Sequence, residues 1–295
     1  MIDPYRAIVA MLAGLAAVQP DPRAGFSAEP LELEAAGGAL PARFFRPFHW
    51  DGPLVVYVHG AATADWLAQA PLFEALLARG LAVLAFDLDG YGSNPAVLDP
   101  KGILRCVPAA LEAARNLPGV NAARIGVYGL SLGAALTLRA LPGASWVKAM
   151  TLYAPPLGVS PTTRDRLLEL AGTFHPFALP VLATAPTGHV ARTFLEPVRF
   201  AGARHDMFHP EFIVRMDALV RGLDPLAAAR AAPALPTLII NGAWDALVTP
   251  MDVERLRLHL NGAIEVATFA HRNHSTLLHE RGAARAAANW FHSKL

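Results

Sequence analysis

Cysteine is nearly absent from this chain, since Cys106 is the only one among its 295 residues. A single cysteine excludes an internal disulfide and any metal cluster that needs several thiolates. Lysine is also scarce, and no run of lysines and arginines occurs. With a formal net charge of +1, the chain lacks the concentrated basic surface of a dedicated nucleic-acid binder. We therefore expect no nucleic-acid partner.

The chain also lacks an apolar run long enough to cross a bilayer as a helix, so no stable membrane span is expected. The apolar segment at residues 7–18 has helical spacing, which predicts an amphipathic helix within residues 1–22. It is a poor signal peptide because Asp3 precedes it and Gln-Pro-Asp-Pro follows it. The single cysteine fits a reducing compartment. A cytoplasmic location is the prediction, and secretion or export to the periplasm is the alternative.

Short apolar runs alternate with helix-forming segments through most of the chain, of which 54% is hydrophobic. Strands are predicted at 54–58, 81–86, 124–128, 147–153, 237–240 and 264–269, after a hairpin that pairs 31–34 with 42–45. The continuous apolar runs at 54–58 and 81–86 indicate strands that are buried on both faces. Helices are predicted at 65–79, 101–117, 134–139, 252–260 and 276–291. Strands that alternate with helices predict a mostly parallel sheet with helices on both faces.

The alternation stops between residues 155 and 235, where prolines, aromatic residues and helical pieces at 164–172 and 210–221 take over. A segment of this length is too long for a loop within a compact domain. We interpret it as a helical cap over the carboxyl edge of the sheet, where ligands bind in open α/β folds. The predicted organisation is a core formed by residues 1–154 and 236–295, with the cap at 155–235.

The segment Gly-Leu-Ser-Leu-Gly at positions 129–133 places Ser131 between a predicted strand and a predicted helix. A strand, G-x-S-x-G and a helix, in that order, form the turn that presents a serine as a nucleophile. So sharp a turn strains the serine backbone and requires small neighbours, because strand and helix must approach closely. Ser131 is therefore the predicted nucleophile.

Two later segments offer an acid and a base for Ser131. Asp245 follows a buried strand and is the candidate acid, because a carboxylate can fix the tautomer of an imidazole and stabilise its charged form. Asp252 better suits a helix N-terminus, and Glu265 lies inside the last strand. His274, just before the predicted last helix, is the candidate base, and His271 is the alternative.

His-Gly-Ala-Ala at positions 59–62 ends the strand predicted at 54–58. The backbone N–H groups of Ala61 and Leu132 are the candidate donors of an oxyanion hole, in which two amides stabilise a tetrahedral intermediate. No H-E-x-x-H or H-x-x-E-H spacing occurs, so neither a metal site nor a cofactor is expected.

With these residues in this order, the chain resembles the α/β-hydrolase family over residues 31–295. The matching features are His59-Gly60, Asp87 with Gly90-Tyr91-Gly92-Ser93, the segment 129–133, Asp245 in N-G-x-x-D-x-x-V-x-P, and His274. The resemblance implies the α/β-hydrolase fold and the chain order of nucleophile, acid and base. One departure is Asn273, since the family often has a glycine directly before its histidine, and this leaves room for His271.

The predicted activity is a serine hydrolase that cleaves a carboxylic ester, or a thioester, of a small-molecule substrate. An apolar pocket is predicted from residues of the cap and the body, namely Trp66, Leu157, Phe174, Phe177 and Phe208. The alternatives are a thioesterase or acyltransferase, a hydrolase of carbon–carbon bonds or amides, and a non-catalytic receptor that retains the fold. Oligomeric state is left open by the sequence.

Overall fold

A computed structural model of the protein describes residues 25–61, 69–158 and 210–295. The predicted N-terminal helix and most of the predicted cap, with its helix at 164–172, lie outside these residues. So do four of the five predicted substrate-binding residues: Trp66, Phe174, Phe177 and Phe208.

Within the described residues, eight strands form one sheet in the order β1-β2-β4-β3-β5-β6-β7-β8. The strands are β1 (Phe26–Leu33), β2 (Leu40–Pro47), β3 (Leu54–Val58), β4 (Ala82–Phe86), β5 (Ile125–Leu130), β6 (Ala149–Tyr153), β7 (Thr237–Gly242) and β8 (Ile264–Phe269). The hairpin β1–β2 joins β4 in the antiparallel sense, and all later pairings are parallel. Parallel pairing places the carboxyl ends of β3 to β8 along one edge of the sheet.

The strands from β3 to β7 are buried along their whole length. Strand β8, at the edge of the sheet, has only exposed and half-buried residues. Continuous apolar runs such as Leu54–Val58 are typical of strands covered on both faces. The sequence therefore predicted the central strands as buried, and the structure confirms the eight-stranded, mostly parallel arrangement.

Helices cover both faces of this sheet. The described helices are α1 (Ala70–Leu77), α2 (Cys106–Asn116), α3 (Leu132–Ala140), α4 (Pro210–Leu223), α5 (Pro225–Ala231), α6 (Pro250–Arg257), α7 (His274–Leu277) and α8 (Arg281–Lys294). Residues of α2, α3, α4 and α5 form the apolar core on one face. Residues of α1 and α8 pack on the other face. Among the described residues no helix is both long and apolar enough to cross a membrane.

Aromatic side chains tie the central strands together beneath α1 and α8. The rings of Tyr57 on β3 and Tyr128 on β5 stack with centroids 5.8 Å apart, and Tyr153 on β6 lies 6.0 Å from Tyr128. Phe73 of α1 meets Tyr57 edge to face at 5.1 Å. Such ring pairs stabilise beyond their buried area, and they hold in place the three strands whose ends lead to residues 59, 131 and 154.

The predicted closing helix at 276–291 is wrong as one element, because the structure has two helices, α7 and α8. The break falls at Glu280, whose side chain accepts the N–H of Gly282 at 2.9 Å and so caps α8. Arg272 holds the same carboxylate with a 2.7 Å hydrogen bond. The helix predicted at 101–117 also begins differently, with a 3₁₀ turn at Gly102–Arg105 before α2.

Candidate active site

Ser131 lies at the sharp turn between β5 and α3, with a φ of 51° that is unusual for a residue other than glycine. A Cβ on Gly129 would lie 2.6 Å from Ala134 Cα, and one on Gly133 would lie 2.3 Å from Val58 O. Both positions therefore need glycine, because helix, turn and strand β3 are in contact there. The turn leaves Ser131 half-buried at the carboxyl edge of the sheet.

Three side chains form a hydrogen-bonded chain at this edge. His274 Nε2 lies 3.2 Å from Ser131 Oγ, and His274 Nδ1 lies 2.9 Å from Asp245 Oδ2. The carboxylate of Asp245 is fully buried, whereas the imidazole of His274 is 17% exposed. In this arrangement the ring donates from Nδ1 to the carboxylate and can accept the serine proton at Nε2.

The carboxylate of Asp245 is fixed by backbone as well as by the imidazole. Its Oδ1 accepts the N–H groups of Leu247 at 2.9 Å and Val248 at 2.7 Å. The side chain of Asn241 in turn donates to the carbonyl of Val248 at 3.1 Å. Each oxygen of Asp245 thus has a separate set of donors, so the orientation of Oδ2 toward His274 is determined by the turn after β7.

The segments that carry Asp245 and His274 are in direct backbone contact. Trp244 N–H donates to the carbonyl of Arg272 at 2.9 Å. A Cβ on Gly242 would lie only 2.2 Å from that same carbonyl oxygen, so this residue must be glycine for the two segments to approach. The short helix α7 begins at His274, and Asn273 caps it by accepting the N–H of Thr276 at 2.8 Å.

Comparison with known proteins decides the family. The model of the Alpha/beta hydrolase family matches residues 55–288, which span β3 to α8 and include all three residues of the hydrogen-bonded chain. The protein belongs to the alpha/beta hydrolase family. An uncharacterized protein of Mycobacterium tuberculosis is 40% identical over 88 residues, which are 30% of this chain and 31% of that protein. The chain therefore matches less than a third of the length of this relative.

Solved structures of esterases share the fold. The carboxylesterase EstE1 from a metagenomic library aligns with a TM-score of 0.68 at 18% identity, over 98% of this chain and 94% of that one. An esterase of Pyrococcus furiosus aligns with a TM-score of 0.65 at 17% identity, over 94% of each chain. At these identities the likeness extends to the architecture of the alpha/beta hydrolase fold.

Of the two candidate histidines in this alpha/beta hydrolase, the structure brings His274 to Ser131. His271 has a φ of 58° and is exposed, and its ring lies edge to face against Trp244 with centroids 4.7 Å apart. The rejected acid candidates also lie elsewhere. Asp252 forms a capping box with Thr249 at the start of α6, and Glu265 is exposed on β8.

The two predicted oxyanion donors flank Ser131 on different elements. Leu132 is the first residue of α3, so its N–H has no acceptor within the helix. Ala61 follows the end of β3, and a Cβ on the preceding Gly60 would lie 3.3 Å from Ser131 Cβ. Among the described residues, neither N–H has a hydrogen-bond acceptor. Of the predicted pocket residues, Leu157 is described, and it packs half-buried against the apolar core on the sheet face that α2 to α5 cover.

The side chain of His59 is a feature of the site for which sequence patterns predicted no role. His59 is buried, with both ring nitrogens in hydrogen bonds to backbone. Burial lowers the pKa of His59 below its usual value, although the hydrogen bond to the Gly60 carbonyl and the carboxylate of Asp87 act in the opposite direction. The ring is therefore neutral at physiological pH. The position of His59 directly before Gly60 was the only sequence feature that pointed to this side chain. The partner of its Nε2, the N–H of Leu88, is distant in the sequence.

The loop after β4 and the single thiol are explained as structural features. Asp87 accepts both the N–H and the hydroxyl of Ser93, at 2.8 and 2.7 Å, and Gly92 has a φ of 51° where a Cβ would collide with that carboxylate.

Burial raises the pKa of the Cys106 thiol to about 12, so this thiol is inert. Among the described residues no group of His, Cys, Asp or Glu side chains is arranged to hold a metal ion.

Proposed function

We propose that this protein is a serine hydrolase that cleaves a carboxylic ester of a largely apolar small molecule through an acyl-enzyme on Ser131. The observation that supports this most strongly is the unbroken hydrogen-bond chain from Ser131 through His274 to Asp245. A nucleophile, a base and an orienting carboxylate in this arrangement can activate a hydroxyl at neutral pH. Membership of the alpha/beta hydrolase family and the esterase fold likeness agree with it.

In the proposed first half-reaction, His274 Nε2 takes the proton of Ser131 Oγ while the oxygen attacks the ester carbonyl carbon. Asp245 stabilises the imidazolium that forms. The N–H groups of Ala61 and Leu132 donate to the negative oxygen of the tetrahedral intermediate, and in other enzymes one such donor contributes ~2.7–4 kcal/mol. His274 then gives its proton to the leaving oxygen, so that the alcohol departs and the acyl group stays on Ser131.

In the second half-reaction, His274 removes a proton from water, and the resulting hydroxide attacks the acyl carbon of the Ser131 ester. The same two N–H groups stabilise the second intermediate. Return of the proton to Ser131 Oγ breaks the acyl bond and releases the acid. Every proton taken is returned, so the enzyme ends in its starting state.

The substrate part of the proposal rests on residue types. The candidate pocket residues in the body and in the segment 155–235 are aromatic or aliphatic, which favours an acyl chain or an aromatic group. We include in the proposal the division into a core and a cap at 155–235, with the cap closing the pocket. An ester and a thioester of the same acyl group can be compared as substrates. The one with the higher kcat/KM shows whether the enzyme is an esterase or a thioesterase.

The test of the proposed function is turnover of short-chain p-nitrophenyl esters by wild type and by Ser131→Ala. We expect kcat to fall by about 10⁶-fold, the loss seen when another serine hydrolase loses its nucleophile. Ser145→Ala is the matched control, since Ser145 is exposed on a turn before β6 and should retain full activity. Near wild-type turnover by Ser131→Ala would refute the proposal. Binding without steady turnover by wild type would instead indicate the non-catalytic receptor.

A further inference from the structure

His59 is held by hydrogen bonds to backbone on both sides of its ring. The N–H of Leu88, just beyond β4, lies 3.0 Å from Nε2, and the carbonyl oxygen of Gly60 lies 2.7 Å from Nδ1. A backbone N–H can only donate and a carbonyl can only accept. Both bonds therefore exist together in one form of the ring, the neutral tautomer with its proton on Nδ1.

The surroundings of His59 favour this one form. The side chain is 1% exposed, and the ring of Tyr91 meets it edge to face with centroids 5.1 Å apart. Protonation would place a second N–H against the N–H of Leu88, which has no lone pair to accept it. The imidazole is thus a rigid, uncharged connection between the end of β3 and the loop after β4.

The hydrogen bond from His59 Nδ1 to the Gly60 carbonyl also affects the backbone N–H of Ala61. The C=O of Gly60 and the N–H of Ala61 belong to the same peptide unit, which is planar and trans, so the two point in opposite directions. Fixing the carbonyl toward His59 therefore fixes the direction of the Ala61 N–H. The peptide also lies beside the nucleophile, because a Cβ on Gly60 would be 3.1 Å from Leu130 O and 3.3 Å from Ser131 Cβ.

We propose that His59 is a positioning residue, whose Nδ1–H fixes the Gly60–Ala61 peptide so that the Ala61 N–H faces the developing oxyanion at Ser131. The bond from Leu88 to Nε2 holds the ring and its tautomer in place. This role rests on the proposed hydrolase function, in which Ala61 is an oxyanion donor. His59 itself contacts neither substrate nor the reacting atoms in this scheme.

Two amide variants separate the two bonds of His59. In His59→Asn the side-chain N–H₂ occupies the place of Nδ1 and still donates to Gly60, but nothing accepts the Leu88 N–H. In His59→Gln the side-chain oxygen occupies the place of Nε2 and still accepts the Leu88 N–H, but the hydrogen bond to the Gly60 carbonyl is lost. Each variant thus loses one buried hydrogen bond, which makes each the control for the other.

We expect His59→Gln to lower kcat by about 10- to 100-fold with KM little changed, since misalignment of a donor costs less than the 10²–10³-fold of its removal. His59→Asn should stay within about threefold of wild type. The assay is p-nitrophenyl ester turnover per folded molecule, with the folded fraction taken from urea unfolding. Equal activity of the two variants, whether both fall or neither does, would overturn the proposal, because a merely structural residue gives losses that follow stability alone.

Two further measurements keep the proposal testable whatever the ester assay shows. The rate at which a fluorophosphonate phosphonylates Ser131 also depends on the oxyanion donors, and it should show the same order of variants even without ester turnover. Loss of the proposed function would appear differently, as absence of labelling in wild type. Long-range ¹H–¹⁵N NMR of wild type should show the Nδ1–H tautomer of His59, with whichever of the two variants folds used to assign the signal. An Nε2–H tautomer would contradict the proposal whatever the activities of the variants.

Discussion

Asp245 is the residue whose role depends most directly on its two oxygens having different partners. Oδ1 is held by the N–H groups of Leu247 and Val248, so Oδ2 is left facing His274 Nδ1. A carboxamide has the same shape but only one accepting atom. If its oxygen keeps the two backbone donors, its N–H₂ faces the imidazole and favours the wrong tautomer.

We therefore expect Asp245→Asn to lower kcat on p-nitrophenyl esters by about 10⁴-fold, as the corresponding change does in another serine hydrolase. Asp252→Asn is the control, because Asp252 serves the capping box of α6 with Thr249 and lies outside the hydrogen-bonded chain. This control should keep its kcat, because the amide oxygen of an asparagine can still accept the N–H and the hydroxyl of Thr249. An Asp245→Asn enzyme as active as the control would remove Asp245 from the mechanism.

The residues of the candidate site were predictable to the extent that their signals are local. Ser131 stands in a five-residue motif, and Asp245 and His274 each follow a strand within a few positions. The bond from Leu88 to His59 joins residues 29 positions apart. Such a contact depends on β3 and β4 lying side by side in the sheet, which no pattern around His59 shows, so the role of that side chain emerged only from the fold.

Among the structural elements, the loop between β4 and α2 is fixed by an ion pair that is largely buried. Arg105 donates to Asp89 with both Nε and one terminal nitrogen, at 3.0 and 2.7 Å, and its other terminal nitrogen donates to the carbonyl of Gly38. Asn94 also donates to Asp89 at 3.0 Å. The ion pair of Arg105 and Asp89 thus joins the β1–β2 turn, the loop after β4 and the start of α2.

Removal of the guanidinium by Arg105→Met should destabilise the protein by about 3–5 kcal/mol, because Asp89 would be left buried and unpaired. Arg257→Met is the control, since Arg257 forms a similar bidentate pair with Glu254 on the exposed side of α6. Exposed pairs contribute about 1 kcal/mol or less. Urea unfolding checks both, and equal small losses would show that the Asp89 pair does not hold this loop.

Elements whose ends are marked in the sequence were predicted to within a few residues, and those set by tertiary contacts were not. Strands β3 and β8 have the predicted bounds because apolar runs end there at polar or small residues. The division between α7 and α8 depends on Glu280, which is held by Arg272 from the neighbouring loop. Helix α5 was not predicted, and it begins after Asp224 in a left-handed conformation with a φ of 43°.

At the scale of the whole molecule, the buried neutral His59 links folding to pH. Burial lowers the pKa of His59 in the folded state below its usual value of 6.5. Below pH 6.5 the unfolded chain therefore binds a proton at His59 more readily than the folded protein does. Stability then rises as pH increases toward about 6.5 and is constant with respect to this group above it. A single group contributes a slope of at most about 1.4 kcal/mol per pH unit.

We expect the free energy of unfolding of wild type to fall between about pH 6.5 and pH 5, a window above the range where free carboxylates titrate. His59→Asn cannot bind the proton in either state, so its free energy of unfolding should fall less steeply over the same window. Urea unfolding of both proteins at several pH values measures the difference. Parallel curves would mean that His59 is as easily protonated in the folded protein as in the unfolded chain.

The fold as a whole was predicted correctly because its evidence is spread over the chain. Six apolar runs separated by helical segments predict a parallel sheet, and the position of Ser131 after β5 places this candidate nucleophile at the carboxyl edge of the sheet. The proposed substrate pocket draws on residues 155–235, whose composition combines prolines, aromatic residues and both charges. Composition of that kind predicts neither packing nor the shape of a pocket. Sequence patterns therefore say least about which acyl group the substrate carries.

The central claim, that Ser131 is the nucleophile, is tested most directly by covalent labelling of the wild-type protein with a fluorophosphonate. Peptide mass spectrometry should place one adduct per chain on Ser131, and esterase activity should disappear in proportion to labelling. Prior Ser131→Ala substitution should abolish the adduct. Full labelling of Ser131 with undiminished hydrolysis, or inactivation by an adduct on another residue, would contradict the account.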